Sequence, residues 1–436
     1  MQQRKKSTAL VWFRNDLRVH DNDVLQQACE THENVIGVYC FSDLLYNGTQ
    51  FGFRKIGKFR ARFILQSVAR LKQQLEALNI DLVVDKGVPE TILPELCEKH
   101  QVNAIYLQKE WTSEEVEELQ GVREMLPENI SVHEIYNQFL FHPEDIPLGI
   151  NEIPRVFTAF RKKLENEAEI RPEVFITKKP ITNRIPFQSK IPTLQALGYK
   201  NFESHPHAAF PFEGGEHQAL KRLENYFFET KRLGVYKKTR NGLIGPDYSS
   251  KFSPWLANGC ISARTIYWKV KEFEKGFFAN QSTYWLIFEL IWRDFFKYIS
   301  LKHGASIFCL QGILGRTYPW DVDPTKIENW IHGTTPEPFV NANMIELKET
   351  GWMSNRGRQN VASYFSKTLN LDWRIGAAYF ESLLIDYDVH SNYGNWMYTA
   401  GVGNDPRDRV FNVALQAERY DAKGTYQRLW LQPVLF

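Results

Sequence analysis

Between residues 8 and 137 short β-branched apolar runs alternate with stretches whose apolar positions recur at helical spacing. The runs are Ala9-Leu10-Val11-Trp12-Phe13, Val35-Ile36-Gly37-Val38-Tyr39, Leu82-Val83-Val84, Ala104-Ile105-Tyr106-Leu107 and Val132-His133-Glu134-Ile135. The clearest helical stretch is 60–78, where Phe63, Ile64, Val68, Leu71, Leu75 and Leu78 keep a period near 3.6. Strands alternating with helices of this length predict a parallel sheet covered on both faces, a doubly wound α/β domain over 1–140. Ligands of such sheets sit beyond the carboxyl ends of the strands. No GxGxxG follows the first run, so an NAD-type site is not supported.

From about residue 165 to 215 Pro172, Pro180, Pro186, Pro192, Pro206 and Pro211 recur with little periodicity, and 141–215 reads as a connecting segment. Beyond it aromatic-rich helical stretches are predicted at 220–238, 262–273, 283–301, 360–369 and 375–384. With few β-type runs after 215, the second domain, 216–436, is expected to be all-α. Neither an internal repeat nor a low-complexity tract is present.

A chain of 436 residues, at about 150 per domain, fits two or three domains, and 43% hydrophobic residues rule out disorder as the main state. The start, Met1-Gln2-Gln3-Arg4-Lys5-Lys6, is polar, and the longest apolar stretch, near 284–292, is interrupted by Glu289, so neither signal peptide nor membrane span is expected. Five cysteines without a CxxC spacing support neither a disulfide framework nor a metal site, and a reducing intracellular compartment is expected, the cytoplasm first, with nucleus or organelle as alternatives. Net charge divides unevenly: 16 basic against 22 acidic residues through 150, then 37 against 29. A basic C-terminal part would steer a polyanion or phosphate-bearing ligand, although a surface accident would give the same count. The 14% aromatic content calls for large cores, ring-stacking sites, or both.

Three constellations in the helical part carry candidate chemistry. Asp247-Tyr248-Ser249-Ser250-Lys251-Phe252-Ser253-Pro254-Trp255 places three hydroxyls and a cation where a helix begins, with Pro254 in its first turn. That suits either an anion at a helix N-terminus or a plain serine cap. Arg356 and Arg358, with Asp386 and Asp388, lie amid apolar sequence and are costly to bury unless they pair or meet a polar ligand. Glu289 and Arg293 have the spacing of a stabilising helix pair, but their surroundings are too apolar for a solvated face, which makes Glu289 a site candidate.

With these residues in view, the chain resembles the photolyase and cryptochrome flavoprotein family, closest to its DASH cryptochromes. The likeness runs from Val11-Trp12-Phe13-Arg14-Asn15-Asp16-Leu17-Arg18 to Trp430. It is carried by Tyr248-Ser249-Ser250-Lys251-Phe252-Ser253-Pro254-Trp255-Leu256-Ala257, by Trp352-Met353-Ser354-Asn355-Arg356-Gly357-Arg358-Gln359-Asn360, and by Asp388-Val389-His390-Ser391-Asn392-Tyr393-Gly394-Asn395-Trp396.

The resemblance implies FAD in the helical domain, with its diphosphate near Ser249, Ser250, Lys251, Phe252 and Ser253 and with Tyr236 and Arg293 beside it. Arg358 and Asp386 would pair over the flavin, Asp388 would face its polar edge, and Asn392 would sit at N5, where an amide hydrogen-bonds without acting as an acid. Trp396, Trp373 and Trp320 match the family's electron-transfer chain, although any one tryptophan is more often core filler. Glu289 and Asn355 would hydrogen-bond a pyrimidine dimer and Trp292 would stack on it. Gln359 stands where ordinary photolyases carry Met, and Tyr398 where they carry Trp. Both changes make the pocket more polar and reduce stacking, which leaves less energy to flip a dimer out of a duplex. Glu110 matches a contact to an antenna 5,10-methenyltetrahydrofolate, though a Glu there also suits a helix start. The chain stops soon after Trp430, without the long tail of signalling cryptochromes.

The expected activity is blue-light-driven, FAD-dependent repair of cyclobutane pyrimidine dimers in single-stranded or locally unpaired DNA, by a monomer. The alternative is a photoreceptor or regulator binding FAD and DNA without significant repair. A nucleotide-binding enzyme using only the first domain is disfavoured, because no phosphate loop follows its first strand.

Overall fold

The computed structural model describes residues 7–185 and 189–432; Pro186 and the polar start through Lys6 lie outside them. All five predicted apolar runs become parallel strands of one sheet. They are β1 (Thr8–Phe13), β2 (Asn34–Ser42), β5 (Leu82–Gly87), β6 (Ala104–Gln108) and β7 (Ser131–Ile135), in the order β5-β2-β1-β6-β7. A small antiparallel ribbon, β3 (Thr49–Gln50) with β4 (Phe53–Arg54), stands apart from it. In β1 every position is buried, because helices cover both faces: Leu10 and Trp12 pack with Leu93 and Val122, while Val11 and Phe13 pack with Val24 and Leu71. Strand order reverses between β1 and β6, so the crevice for a ligand opens at their carboxyl ends.

The helix predicted at 60–78 spans Lys58–Ala77. Within 141–215 the chain is more than a connector: Phe157–Glu167 is a helix whose Phe157, Phe160 and Leu164 are buried. Phe157 lies against Phe288, Trp292 and Phe295 of the 23-residue helix Gln281–His303. Along 168–215 the one helical element among the described residues is the short turn Ile181–Asn183.

After 215 the fold is helical; among the described residues its β content is the single bridge Asp321 to Leu371. Two expected helices are broken rather than continuous. Over 220–238 the helix Glu216–Glu224 passes into a wide turn, Asn225–Glu229, and the chain then reverses through Lys231 at φ 51°. Over 355–368 the helix Asn355–Ser363 runs into a second wide turn, Tyr364–Thr368. In both, bulky aromatics (Tyr226 and Phe227, Tyr364 and Phe365) are buried at the widening.

One continuous core joins the sheet to the first helices of the helical part, and a second lies among the later helices. At the seam Gly259 has φ +66° and lies so close to the loop after β1 that a Cβ would sit 2.0 Å from the Asn15 carbonyl oxygen. Arg264 donates to Asp21 at 2.6 Å in a buried ion pair across the same seam. Asp294 accepts the N–H groups of Leu140 and Phe141 at 2.9 and 2.8 Å, which ties the start of the 141–215 segment to the long helix.

Candidate functional site

A cavity of about 420 Å³ opens among the helices and gathers most of the predicted residues. The segment 248–253 forms one wall: Tyr248, Ser249, Ser250, Lys251, Phe252 and Ser253 all line it. Buried Arg222 holds this loop by donating to the carbonyls of Ser249 and Ser250 at 3.1 and 3.2 Å and to Asp247 at 2.9 Å. Arg222 was not legible as functional, because the backbone carbonyls it holds leave no mark in the sequence.

Lys251 has φ +65°, and its ammonium is buried without a hydrogen-bond partner, 3.4 Å from the centre of the Tyr248 ring and 4.4 Å from that of Trp352. Burial drives its pKa well below the usual lysine value. The carboxylate of Glu346 offsets this only in part, and an anionic group in the cavity would supply the hydrogen-bonding partner that a buried cation lacks. The helix that follows, Ser253–Ala257, has Pro254 in its first turn, as expected, but is only five residues long. Ser253 makes no cap; its hydroxyl donates to Asp386 Oδ2 at 2.6 Å.

The cavity is also lined by the Arg358–Asp386 pair, in which one guanidinium nitrogen donates to both carboxylate oxygens at 2.9 Å. Asp388 caps the helix Val389–Ala400 by accepting from the Ser391 N–H at 2.7 Å, and it pairs with buried Lys297 at 3.2 Å. Burial works against its ionisation, but the Lys297 ammonium, together with His390, Arg293 and the Ser391 N–H, holds the carboxyl well below the usual carboxylate range. Asn392 lines an adjoining pocket of about 110 Å³ with Trp396. Its amide N–H donates to the Ala377 carbonyl at 3.0 Å, which leaves its amide oxygen as a free acceptor.

The Glu289–Arg293 pair that the helical spacing permits is not formed. Glu289 is ion-paired with Arg240 from the neighbouring chain turn, while Arg293 donates to the carbonyls of Gln138 at 2.5 Å and Leu256 at 3.3 Å. Helical spacing brings two side chains within reach, but tertiary partners claim both. Burial raises the Glu289 pKa against the pull of Arg240. Tyr236 and Asn355 also line the cavity. Trp292 lines it too, with one ring face stacked on Phe157 at 3.7 Å and 9°. Gln359 accepts from Arg356 at 2.8 Å, and the Tyr398 hydroxyl accepts from Arg409 at 2.9 Å.

Trp396 and Trp373 are fully buried and Trp320 is half-buried. Trp396 packs onto Gly376, where a Cβ would lie 2.3 Å from its ring, and Gly376 is one helical turn beyond Trp373. Trp320 is brought beside the start of that helix because the next residue, Asp321, accepts from the Asp372 N–H at 2.9 Å. Glu110 lies apart from the cavity, at the strand-order reversal; it is buried and accepts from Gln108 at 2.7 Å. The following helix, Ser113–Met125, starts after Thr112, so Glu110 is not its cap. Trp111 ties this crevice to the cavity side by stacking on His390 at 4.6 Å and donating to Ser300 Oγ at 2.7 Å.

Among the described residues there is no cluster of His, Cys, Asp and Glu that could hold a metal ion, and no helix long and apolar enough to cross a membrane. Residues 9–180 match the DNA photolyase family, and 285–435 match the FAD binding domain of DNA photolyase. The chain is 47% identical to a protein of Gloeobacter violaceus named Cryptochrome DASH, over 97% of this chain and 85% of that one. The solved Synechocystis cryptochrome superposes with a TM-score of 0.94 at 44% identity, covering 99% of this chain and 89% of that one. A class III photolyase from Agrobacterium tumefaciens gives 0.82 at 27% identity, over 98% of this chain and 87% of that one. A parallel-sheet domain, a helical domain with an FAD-type cavity and relatives of this closeness together make the chain a member of the photolyase and cryptochrome flavoprotein family, in its DASH cryptochrome branch.

Proposed function

We propose that this protein is a blue-light-driven, FAD-dependent photolyase that repairs cyclobutane pyrimidine dimers in single-stranded or locally unpaired DNA. The observation that carries this reading is one cavity with two chemistries: the Lys251 ammonium, which has no hydrogen-bond partner, with the Arg358–Asp386 pair, and half-buried Glu289 with Trp292. Lys251, Ser249 and Ser250 would hold the diphosphate of FAD, and Arg358, Asp386, Asp388 and Asn392 would surround its ring. Bound there, FAD supplies light absorption and one-electron chemistry. Trp396, Trp373 and Trp320 form the relay to the surface.

On the substrate side Glu289 and Asn355 hydrogen-bond the polar edges of the dimer, and the ring of Trp292 stacks on it. The Arg240 partner keeps the Glu289 carboxylate in place in a site where burial disfavours its charge. Glu110 is the antenna contact in this reading, with a folate in the crevice of the first domain. The division into 1–140, 141–215 and 216–436, the monomeric state and a cytoplasmic location belong to the same proposal.

Gln359 and Tyr398 favour unpaired substrates, since a flipped dimer must repay a few kcal/mol of unstacking when it comes from a duplex. Repair of one dimer placed in single-stranded, bubble and duplex DNA under blue light tests the reading. Ready repair is expected in the first two and little in the duplex. Equal repair of strand and duplex refutes the pocket argument. No repair of any substrate with reduced FAD bound moves the assignment to a photoreceptor, a role that the reduced stacking area beside Tyr398 also suits.

A further inference from the structure

The Gln359 amide oxygen and the Tyr398 hydroxyl each accept from an arginine, and the two arginines differ in counter-charge. Arg409 donates to Asp405 at 3.0 Å and is neutralised by it. Arg356 has no carboxylate within salt-bridge distance among the described residues. One amino group donates to Gln359 Oε1 at 2.8 Å and the other to Asn241 Oδ1 at 3.2 Å. The Tyr420 ring lies 4.6 Å from the guanidinium carbon, and the Nε–H is buried without a partner.

Neutral groups therefore orient this cation without cancelling it. Arg240 and Arg419 lie near enough to add to its positive field. Gln359 lines the cavity, so the guanidinium bonded to its amide oxygen lies beside that cavity, at its lip. A planar fork with spare donors and no carboxylate suits an oxyanion. Beside a cavity read as nucleotide-binding, that oxyanion is a backbone phosphate.

We propose that Gln359 is a positioning residue for single-stranded DNA, its amide oxygen holding the Arg356 guanidinium toward a backbone phosphate at the cavity lip rather than reading a base. The proposal rests on the DNA reading above. Gln359 follows Arg356 by three positions, so the two side chains share a helix face. An amide is the group that can accept from the guanidinium while leaving its charge available; a thioether accepts too weakly and a carboxylate would neutralise it.

The test uses the flavin-loaded full chain and a single-stranded oligodeoxynucleotide carrying one thymine dimer, beside the same strand undamaged. Affinity is measured against salt for the unaltered chain, Gln359→Met, Arg356→Ala and the double variant. Arg356→Ala should flatten the slope of log K against log salt by about 0.7, the value for one single-strand phosphate. Gln359→Met should flatten it by part of that and should add nothing when Arg356 is already Ala. Gln359→Glu, which keeps the contact but cancels the charge, should weaken binding as much as Arg356→Ala.

Independent, additive losses would overturn the proposal, as would a Gln359→Met chain that loses preference for the dimer with its salt slope intact. Bound flavin, read from the visible spectrum, should be unchanged; its loss in Gln359→Met would make the residue structural and also overturn the proposal. An unaltered chain that binds neither strand would overturn the DNA reading beneath it.

Discussion

Lys297 and Asp388 meet at 3.2 Å with their side chains only 4% and 12% exposed, and this pair joins the long helix Gln281–His303 to the start of the helix Val389–Ala400 at the cavity wall. Removing one member of a buried pair leaves an uncompensated charge, at a cost of about 3–5 kcal/mol. Lys297→Met should therefore destabilise the protein by that order in chemical denaturation at pH 7. The depressed pKa of Asp388 gives stability that is present above its unfolded value and lost as pH falls through the folded one. The penalty of Lys297→Met should accordingly shrink below about pH 4, where the unfolded carboxyl is protonated. A penalty independent of pH would mean that the lysine acts by packing alone.

Glu381 titrates in the opposite sense. Burial raises its pKa from 4.5 to about 7, against the pull of Arg60 and Lys55. A raised carboxyl pKa contributes stability below the unfolded value that is lost as pH rises through the folded one. Unfolding free energy should fall between pH 4.5 and 7, and Glu381→Gln should make that part of the profile flatter. Parallel profiles for the two proteins would show that the carboxyl is already ionised in the folded state.

Trp396→Phe should leave FAD bound but nearly stop light-driven flavin reduction by external thiol, while repair with chemically reduced flavin survives. Gly376→Ala provides a steric counterpart: the new methyl would meet the Trp396 ring and should destabilise by about 1–3 kcal/mol. Undiminished photoreduction in Trp396→Phe would remove the relay assignment.

Glu289→Ala should reduce dimer repair far more than flavin retention. It also strands the Arg240 guanidinium, so Glu289→Gln is the milder comparison and should keep more of the fold while still losing repair. Flavin content and repair yield, measured on one preparation, separate the roles; a parallel fall in both would make Glu289 structural.

The local pattern of residues by itself determined the sheet. A strand buried on both faces must be apolar at successive positions, and Leu10-Val11-Trp12-Phe13 is such a run. The members of the cavity were also legible, because long motifs such as 248–257 and 388–396 carry a family resemblance as strings. What those side chains touch was decided only by the tertiary structure. Spacing put Glu289 and Arg293 within reach of each other, yet Arg240 and two backbone carbonyls from distant segments took their places. Gln359 and Tyr398 read as extra polarity in the pocket, yet the amide oxygen of the one and the hydroxyl of the other are engaged by Arg356 and Arg409. The physical reason is range: sequence periodicity constrains neighbours within a turn or two of one helix, whereas a buried charge finds its partner among whatever elements the folded core brings within a few ångströms.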